Sequence, residues 1–332
     1  MVTIRSINIE PPLINTSCAW ASDLSQLQEL YDCPHTGAVT TRTATLDGFT
    51  ETEEHTVRQQ VVFTIDGTTS LNSYGYSPHP LSSYLSWIRT ILSQPSASNK
   101  SKPFIISITS SSPPELTKMV QFIQQFRSSL PTTPYSLIAI ELNTSCPNIP
   151  TKPPPAYNPP TLLPLLTVLA EAVSKDESLT VGLKLAPFLY RAQFVDLLEC
   201  ISSTLPNSPS SKSPFAFFTC TNTLGNSLLL PSLAPPSPTA LPSFSLPTPL
   251  GGLAGASLHP LALGNVYTFT QLLSSYPHLS LKEIVVIGVG GVRDEEGVRR
   301  MRKVGARVVG CASAFGMEGV AVFGRLVGGL DD

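Results

Sequence analysis

Apolar residues along this chain gather into short unbroken runs, and a helical spacing of apolar positions follows most of them. Phe104–Ile108, Leu137–Leu142, Thr180–Leu185, Phe215–Cys220, Ile284–Val289 and Ala306–Gly310 are apolar through most of their positions. A strand apolar on both faces is buried on both, as in a parallel sheet covered by helices. Helical spacing appears in Leu24, Leu27 and Leu30 behind a Ser22-Asp23 cap, and in Leu81, Tyr84, Leu85 and Ile88. It recurs in Leu162, Leu165, Leu166 and Leu169, and in Phe194, Leu197 and Leu198. Pro113-Pro114-Glu115 opens a further helix, and others are predicted near His259-Pro260, Glu295–Lys303 and 317–328. Gly37–Thr41 reads as another short strand, Val61–Phe63 as a β candidate, and residues 2–14, with Pro11-Pro12, as an N-terminal hairpin. Strand and helix thus alternate about eight times, which predicts an α/β fold of the closed (β/α)8 TIM-barrel type. The expectation is a single domain over residues 1–332, with Pro- and Ser-rich surface excursions at 148–160 and 229–249. The rival is an open doubly wound sheet. Against it, no GxGxxG lies between a first strand and a first helix.

In such a barrel the C-terminal strand ends converge on one mouth. The richest tip is Glu141-Leu142-Asn143-Thr144-Ser145-Cys146-Pro147-Asn148. Pro147 cannot continue a central strand, so the polar groups sit at the strand's end. Amides offer both donor and acceptor and can grip a planar polar ring. A thiol beside them can take a proton from that ring. Taken alone, Cys146 reads better as a small buried hydrophobe, with the Asn residues capping a turn; the other tips change that balance. The other tips supply Thr16, Ser17, Arg42, Asn72, Lys184, Asn222 and Thr223, then Gly-rich turns at Gly251–Gly255 and Gly290-Gly291, and finally Ala312-Ser313. Bare backbone N–H groups after the last two barrel strands form a phosphate cradle in this fold. Lys184 is either a core lysine with a carboxylate partner or a cation facing an electron-rich cofactor. Together these groups fit a flavin mononucleotide site better than a sugar-phosphate isomerase, which would want a Glu or His base at a tip. Of the five His, only His259 lies near a tip, and it reads as the start of a helix.

Composition narrows the choice. Over 332 residues the net charge is -2 and charged residues are 13%, so no basic field points to nucleic acid. The six Cys form no CxxC pair and no metal-ligand spacing with the His, so no metal site is expected. The start has no apolar leader core, and no run reaches the ~18 apolar residues of a membrane span. The expectation is a reduced, soluble, cytoplasmic protein with no membrane partner.

Six segments match one known family in order: Asn72-Ser73-Tyr74-Gly75-Tyr76, the Glu141–Asn148 element, Gly182-Leu183-Lys184-Leu185-Ala186-Pro187, Asn222-Thr223-Leu224-Gly225-Asn226, Gly251–Gly255 and Gly288-Val289-Gly290-Gly291. On these the chain resembles the soluble class 1 dihydroorotate dehydrogenases, especially the single-subunit fumarate-linked type. The resemblance implies FMN across the barrel mouth. Its phosphate would lie on Gly290, Gly291, Ala312 and Ser313, with Gly255 near that end. Lys184 and Asn143 would hydrogen-bond the isoalloxazine, and Thr16, Ser17, Arg42 and Thr221 would line it. Asn72, Asn143, Asn148, Asn222 and Thr223 would clamp dihydroorotate, beside the loop of Ser73, Tyr74, Gly75 and Tyr76. Cys146 would remove the C5 proton while hydride passes from C6 to the flavin. Residues 144–155 would be a lid, fumarate the electron acceptor, and the oligomer a homodimer.

The chain departs from that family in places. Arg42 stands where the family has Lys, and Ala312-Ser313 where it has Gly-Thr. Tyr74 and Tyr76 are bulkier than the family's apolar residues, the 46–60 segment is longer and lacks an Asn-Pro-x-x-Arg loop, and the 229–249 insert has no counterpart. Three rival readings follow. One is a paralogous FMN enzyme acting on a related cyclic imide or dihydropyrimidine. Another is an inactive flavin-binding barrel. A tRNA dihydrouridine synthase would require an RNA-binding domain and a basic face, which the sequence does not display.

Overall fold

The computed structural model describes residues 1–49, 60–94, 101–130, 137–146, 148, 154–205, 212–235 and 244–331. The chain opens with an antiparallel hairpin, β1 (Val2–Ile4) and β2 (Ile7–Ile9), with Val2 opposite Ile9. β3 (Leu13–Asn15), α1 (Leu24–Asp32) and β4 (Val39–Thr40) begin the barrel. β5 (Val61–Phe63) and β6 (Thr69–Asn72) leave it, and α2 (Leu81–Ser93) returns. Then come β7 (Phe104–Ile108), α3 (Pro113–Ser128), β8 (Ile138–Asn143), α4 (Pro159–Lys175), β9 (Thr180–Leu185), α5 (Arg191–Ser202) and β10 (Phe217–Cys220). A second departure, β11 (Leu224–Leu228) and β12 (Leu250–Gly255), precedes α6 (His259–Ser275). The chain ends with β13 (Val285–Val289), α7 (Glu295–Lys303), β14 (Val308–Cys311), α8 (Ser313–Glu318) and α9 (Ala321–Leu326).

Eight strands form one parallel sheet in the order β3-β14-β13-β10-β9-β8-β7-β4, and a parallel bridge from Ile14 to Ala38 joins its two ends. This is the (β/α)8 barrel the sequence pattern predicts. β7, β8, β9 and β10 are buried at every position, which is why their sequences are unbroken apolar runs. Helix starts follow local chemistry. The Asp23 carboxylate accepts from Gln26 N at 2.9 Å ahead of α1, and Asp294 accepts from Gly297 N at 2.7 Å ahead of α7. The hairpin residues Ile4, Ile7 and Ile9 share a buried cluster with barrel-lining Ile14, Ile105, Phe217 and Ile287. The hairpin therefore plugs the closed end of the barrel and leaves the carboxyl-end mouth as the open one.

Several expectations need correction. The hairpin ends at Ile9, and Leu13–Asn15 is already a barrel strand. Gly251–Gly255 is not a turn. It belongs to β12 in a four-stranded antiparallel sheet, β11-β12-β6-β5, built on the mouth. In that sheet Gly252 lies opposite Asn72 and Gly255 opposite Thr69. At ~3.4 Å per residue the sheet sets roughly 10 Å between the Asn72 end and the Gly255 end. The final helix is two, α8 and α9, because Gly319 at φ +67 ends the first. In the 229–249 insert, Leu229, Ala234 and Leu246 pack on Leu71 of β6. Most of the 46–60 loop and half of the 144–155 segment lie outside the described residues. Among the described residues, no helix is long and apolar enough to cross a membrane, and no group of His, Cys, Asp and Glu has a metal-binding arrangement.

Candidate active site

The segment after β8 leans on β9. Thr144 and Ser145 hydroxyls donate to the Lys184 carbonyl at 2.7 and 3.1 Å, which turns the chain sharply and delivers Cys146 to the mouth. Asn143 is the centre of the amide cluster. Its Nδ2 donates to Thr43 Oγ1 at 2.9 Å, and its Oδ1 accepts from Ser145 N at 3.1 Å and Asn222 Nδ2 at 3.3 Å. Asn222 Nδ2 also reaches Ser145 Oγ at 3.0 Å, while its Oδ1 accepts from Thr223 N at 2.8 Å. On the other side, Asn148 Nδ2 donates to Tyr74 O at 2.8 Å and Asn72 Oδ1 at 3.1 Å, and Asn72 Nδ2 donates to Gly252 O at 3.1 Å. The amides thus link the tips of β6, β8 and β10 with the mouth sheet.

Cys146 is buried, with Sγ 4.0 Å from Tyr74 O. Burial pushes its thiol up to about 11, against the opposing pull of the Asn148 backbone N–H and of Lys184 and Arg42. Cys18 behaves in the same way: burial raises it to about 11 against the Trp20 backbone, Lys184 and Arg42. Lys184 Nζ donates to the Ser17 carbonyl at 3.0 Å and has no carboxylate partner among the described residues. Thr221 Oγ1 is buried and meets no hydrogen-bonding partner among the described residues, though Thr221 lines the cavity. A buried hydroxyl on the cavity wall can take a polar group of a molecule in the cavity.

All the predicted site residues except Ser73 line one cavity at the mouth. Ser73 is buried behind it, where its N–H donates to Gln60 O at 2.9 Å. Arg42 lines the cavity, but its guanidinium donates to Gly75 O at 3.3 Å and Tyr76 O at 3.2 Å and sits 5.5 Å from the Tyr74 ring centre. It grips the Tyr74–Tyr76 loop as well as facing the cavity. Thr43, adjacent to Arg42, is a hub that the sequence pattern does not mark. It touches Ser17 Oγ at 2.8 Å and Ser107 Oγ at 2.9 Å as well as Asn143. Cys18 and Trp20 also line the cavity, and only their place beside the Thr16-Ser17 tip could have signalled it.

At the far end lie Gly255, Gly290, Gly291, Ala312 and Ser313, with Ser70 Oγ 3.3 Å from Ser313 Oγ. Gly290 and Gly291 have φ of +126 and +70. A Cβ on Gly291 would fall 2.6 Å from Gly255 O. Side chains are thus excluded where two backbone segments close on each other, and the peptide groups are left bare. The long cavity, amide-rich at one end and glycine-walled at the other, fits a molecule with a polar ring system and an anionic tail.

A parallel barrel with its polar cavity at the carboxyl-end mouth is an enzyme architecture. The chain belongs to the dihydroorotate dehydrogenase family, a family of oxidoreductases, whose model matches residues 1–332. Among its relatives is a probable dihydroorotate dehydrogenase A (fumarate) of Streptococcus pneumoniae serotype 4, 28% identical over 98% of this chain and 90% of the relative. The dihydroorotate dehydrogenase (fumarate) of Lachancea kluyveri is 28% identical over 96% and 87% of the two chains. The dihydroorotate dehydrogenase A (fumarate) of Lactococcus lactis subsp. lactis is 26% identical over 99% and 92%.

Proposed function

We propose that this chain oxidises (S)-dihydroorotate to orotate in UMP synthesis, with FMN as cofactor, Cys146 as base and fumarate as electron acceptor. The observation that carries the proposal is the cluster of Asn72, Asn143, Asn148 and Asn222 around the Cys146 thiol in one cavity. Amide edges match the alternating N–H and C=O groups of a dihydropyrimidine ring. The fit of FMN rests on the glycine cradle for its phosphate, on the buried Thr221 hydroxyl, and on the Lys184 amino group at the wall. When bound, FMN would accept the hydride from ring C6. The chain's own groups do the rest. The amides orient the ring, and the Cys146 thiolate takes the C5 proton and becomes a thiol. That thiol must lose its proton to solvent before the next turnover. Thr43, through Asn143 and Ser17, holds both sides of the ring site in one geometry. The acceptor is carried over from the names of the relatives.

The test is anaerobic mixing of the purified, flavin-loaded chain with dihydroorotate. Bleaching of the flavin colour, followed by its return with fumarate, supports the proposal. A chain that takes up FMN but is bleached only by another cyclic imide supports the paralogue. A chain that takes up flavin and is bleached by neither is the inactive binder.

A further inference from the structure

His259 opens α6 behind the glycine cradle. It is 8% exposed and does not line the cavity. Its Nδ1 lies 2.7 Å from the Gly290 carbonyl, and Arg300 Nε lies 3.1 Å from its Nε2. Arginine can only donate, so Nε2 accepts and the ring proton sits on Nδ1, which donates to Gly290. Arg300 is braced in turn by Asp294 Oδ1 at 3.6 Å, the residue that caps α7. The burial of His259 and the nearby Arg300 both lower its proton affinity, which keeps this tautomer neutral.

The Gly290–Gly291 peptide is trans. Its N–H therefore points opposite to the carbonyl that His259 holds. Both glycines line the cavity, whereas His259 does not. With its carbonyl turned to His259, this peptide has the Gly291 N–H left to offer an anion in the cavity. Two consecutive glycines have many accessible conformations, and fixing them beforehand spares that ordering at the moment of binding. We infer that His259, backed by Arg300, is a positioning residue that holds the Gly290–Gly291 peptide as a phosphate-binding cradle. This rests on the flavin reading above and adds the residue that orders its phosphate end.

The experiment measures dissociation constants for FMN and for riboflavin, which lacks the phosphate, by quenching of flavin fluorescence on the flavin-free chain. His259→Ala should weaken FMN about tenfold, as loss of one buried hydrogen bond implies, and leave riboflavin unchanged. His259→Asn places a donor near the position of Nδ1 and should restore most of the preference for FMN. Arg300→Met, at a residue whose side chain is 44% exposed, should lower that preference about threefold without disturbing the fold. Equal weakening of both flavins in His259→Ala, or an unchanged preference in His259→Ala or Arg300→Met, overturns the inference alone. If His259→Ala does not fold, Arg300→Met decides. A wild-type chain that binds neither flavin overturns the flavin reading as well.

Discussion

Arg42 donates from its guanidinium to the Tyr76 carbonyl at 3.2 Å, tying the tip of the second barrel strand to the loop after β6. Gly75 O is held by the same nitrogen at 3.3 Å, and the Tyr74 ring lies under the cation. The loop that presents Tyr74 O to Asn148 is thus fixed from behind. Arg42→Lys keeps the charge but loses the planar fork, which reaches Ser22 Oγ with one nitrogen and the two loop carbonyls with the other. At ~1.5–3 kcal/mol for a charge-assisted hydrogen bond, KM for dihydroorotate should rise by about 10- to 100-fold. kcat and FMN content should change little. Steady-state kinetics on the flavin-saturated variant checks this. A fall in FMN affinity with KM unchanged would instead make Arg42 chiefly a cofactor contact.

Asn148 aims its amide nitrogen at acceptors only, Tyr74 O, Asn72 O and Asn72 Oδ1. Asn148→Ala removes the donor, whereas Asn148→Asp puts a negative acceptor against three other acceptors. The aspartate variant should therefore bind dihydroorotate more weakly than the alanine variant. Titration of each with orotate, followed by the change in flavin spectrum, measures the order. Equal affinities would show that the donor is not used.

Gly255 has φ +77, and an added Cβ would lie 2.4 Å from Thr68 O across the mouth sheet. Gly255→Ala meets both the left-handed backbone and a carbonyl that cannot move without breaking the β6–β12 ladder. The expected cost is about 1–3 kcal/mol of unfolding free energy. FMN retention should fall with it. Thermal unfolding and the flavin-to-protein ratio after gel filtration check both.

The barrel was legible because its strands are buried on both faces and its helices are amphipathic, both of which are local signals. β9 follows the pattern Thr180–Leu185 residue for residue. The mouth sheet was not legible. β12 is Leu250–Gly255, with glycines where a strand would show an apolar alternation, and its partner β6 lies about 180 residues earlier. Nothing local announces such a pairing. The site was legible where chemistry is unusual for its place, as in Asn143, Cys146 and Lys184 at strand ends. Thr43 and Ser107 were missed because a threonine or serine at a strand end is ordinary, and only the contact with Asn143 and Ser17 gives Thr43 its role. Ser73 was included by adjacency, yet the alternation along an extended segment turns it away from the cavity that Asn72 and Tyr74 face.

Burial of Cys146 raises its thiol from the ordinary 9.0 to about 11. The thiolate is the minor form at neutral pH, so the rate of flavin reduction should climb about tenfold per pH unit from about pH 7 to about pH 9. The same shift bears on stability. The folded thiol keeps its proton where the unfolded one gives it up. Its contribution is thus present below pH 9.0 and lost as pH rises toward about 11. Stopped-flow reduction over this range measures the slope. A flat profile would mean that the thiol is not the group that titrates.

The most direct measurement is single-turnover, anaerobic reduction of the bound flavin by dihydroorotate in Cys146→Ser beside the wild type. A hydroxyl in place of the thiol leaves the amide cluster and the glycine cradle intact but is a far weaker acid at neutral pH. The predicted result is full FMN occupancy and unchanged orotate affinity, with reduction slower by about 10²- to 10⁴-fold. Reduction within a few-fold of wild type, with the same pH dependence, would contradict the assignment of Cys146 as the base.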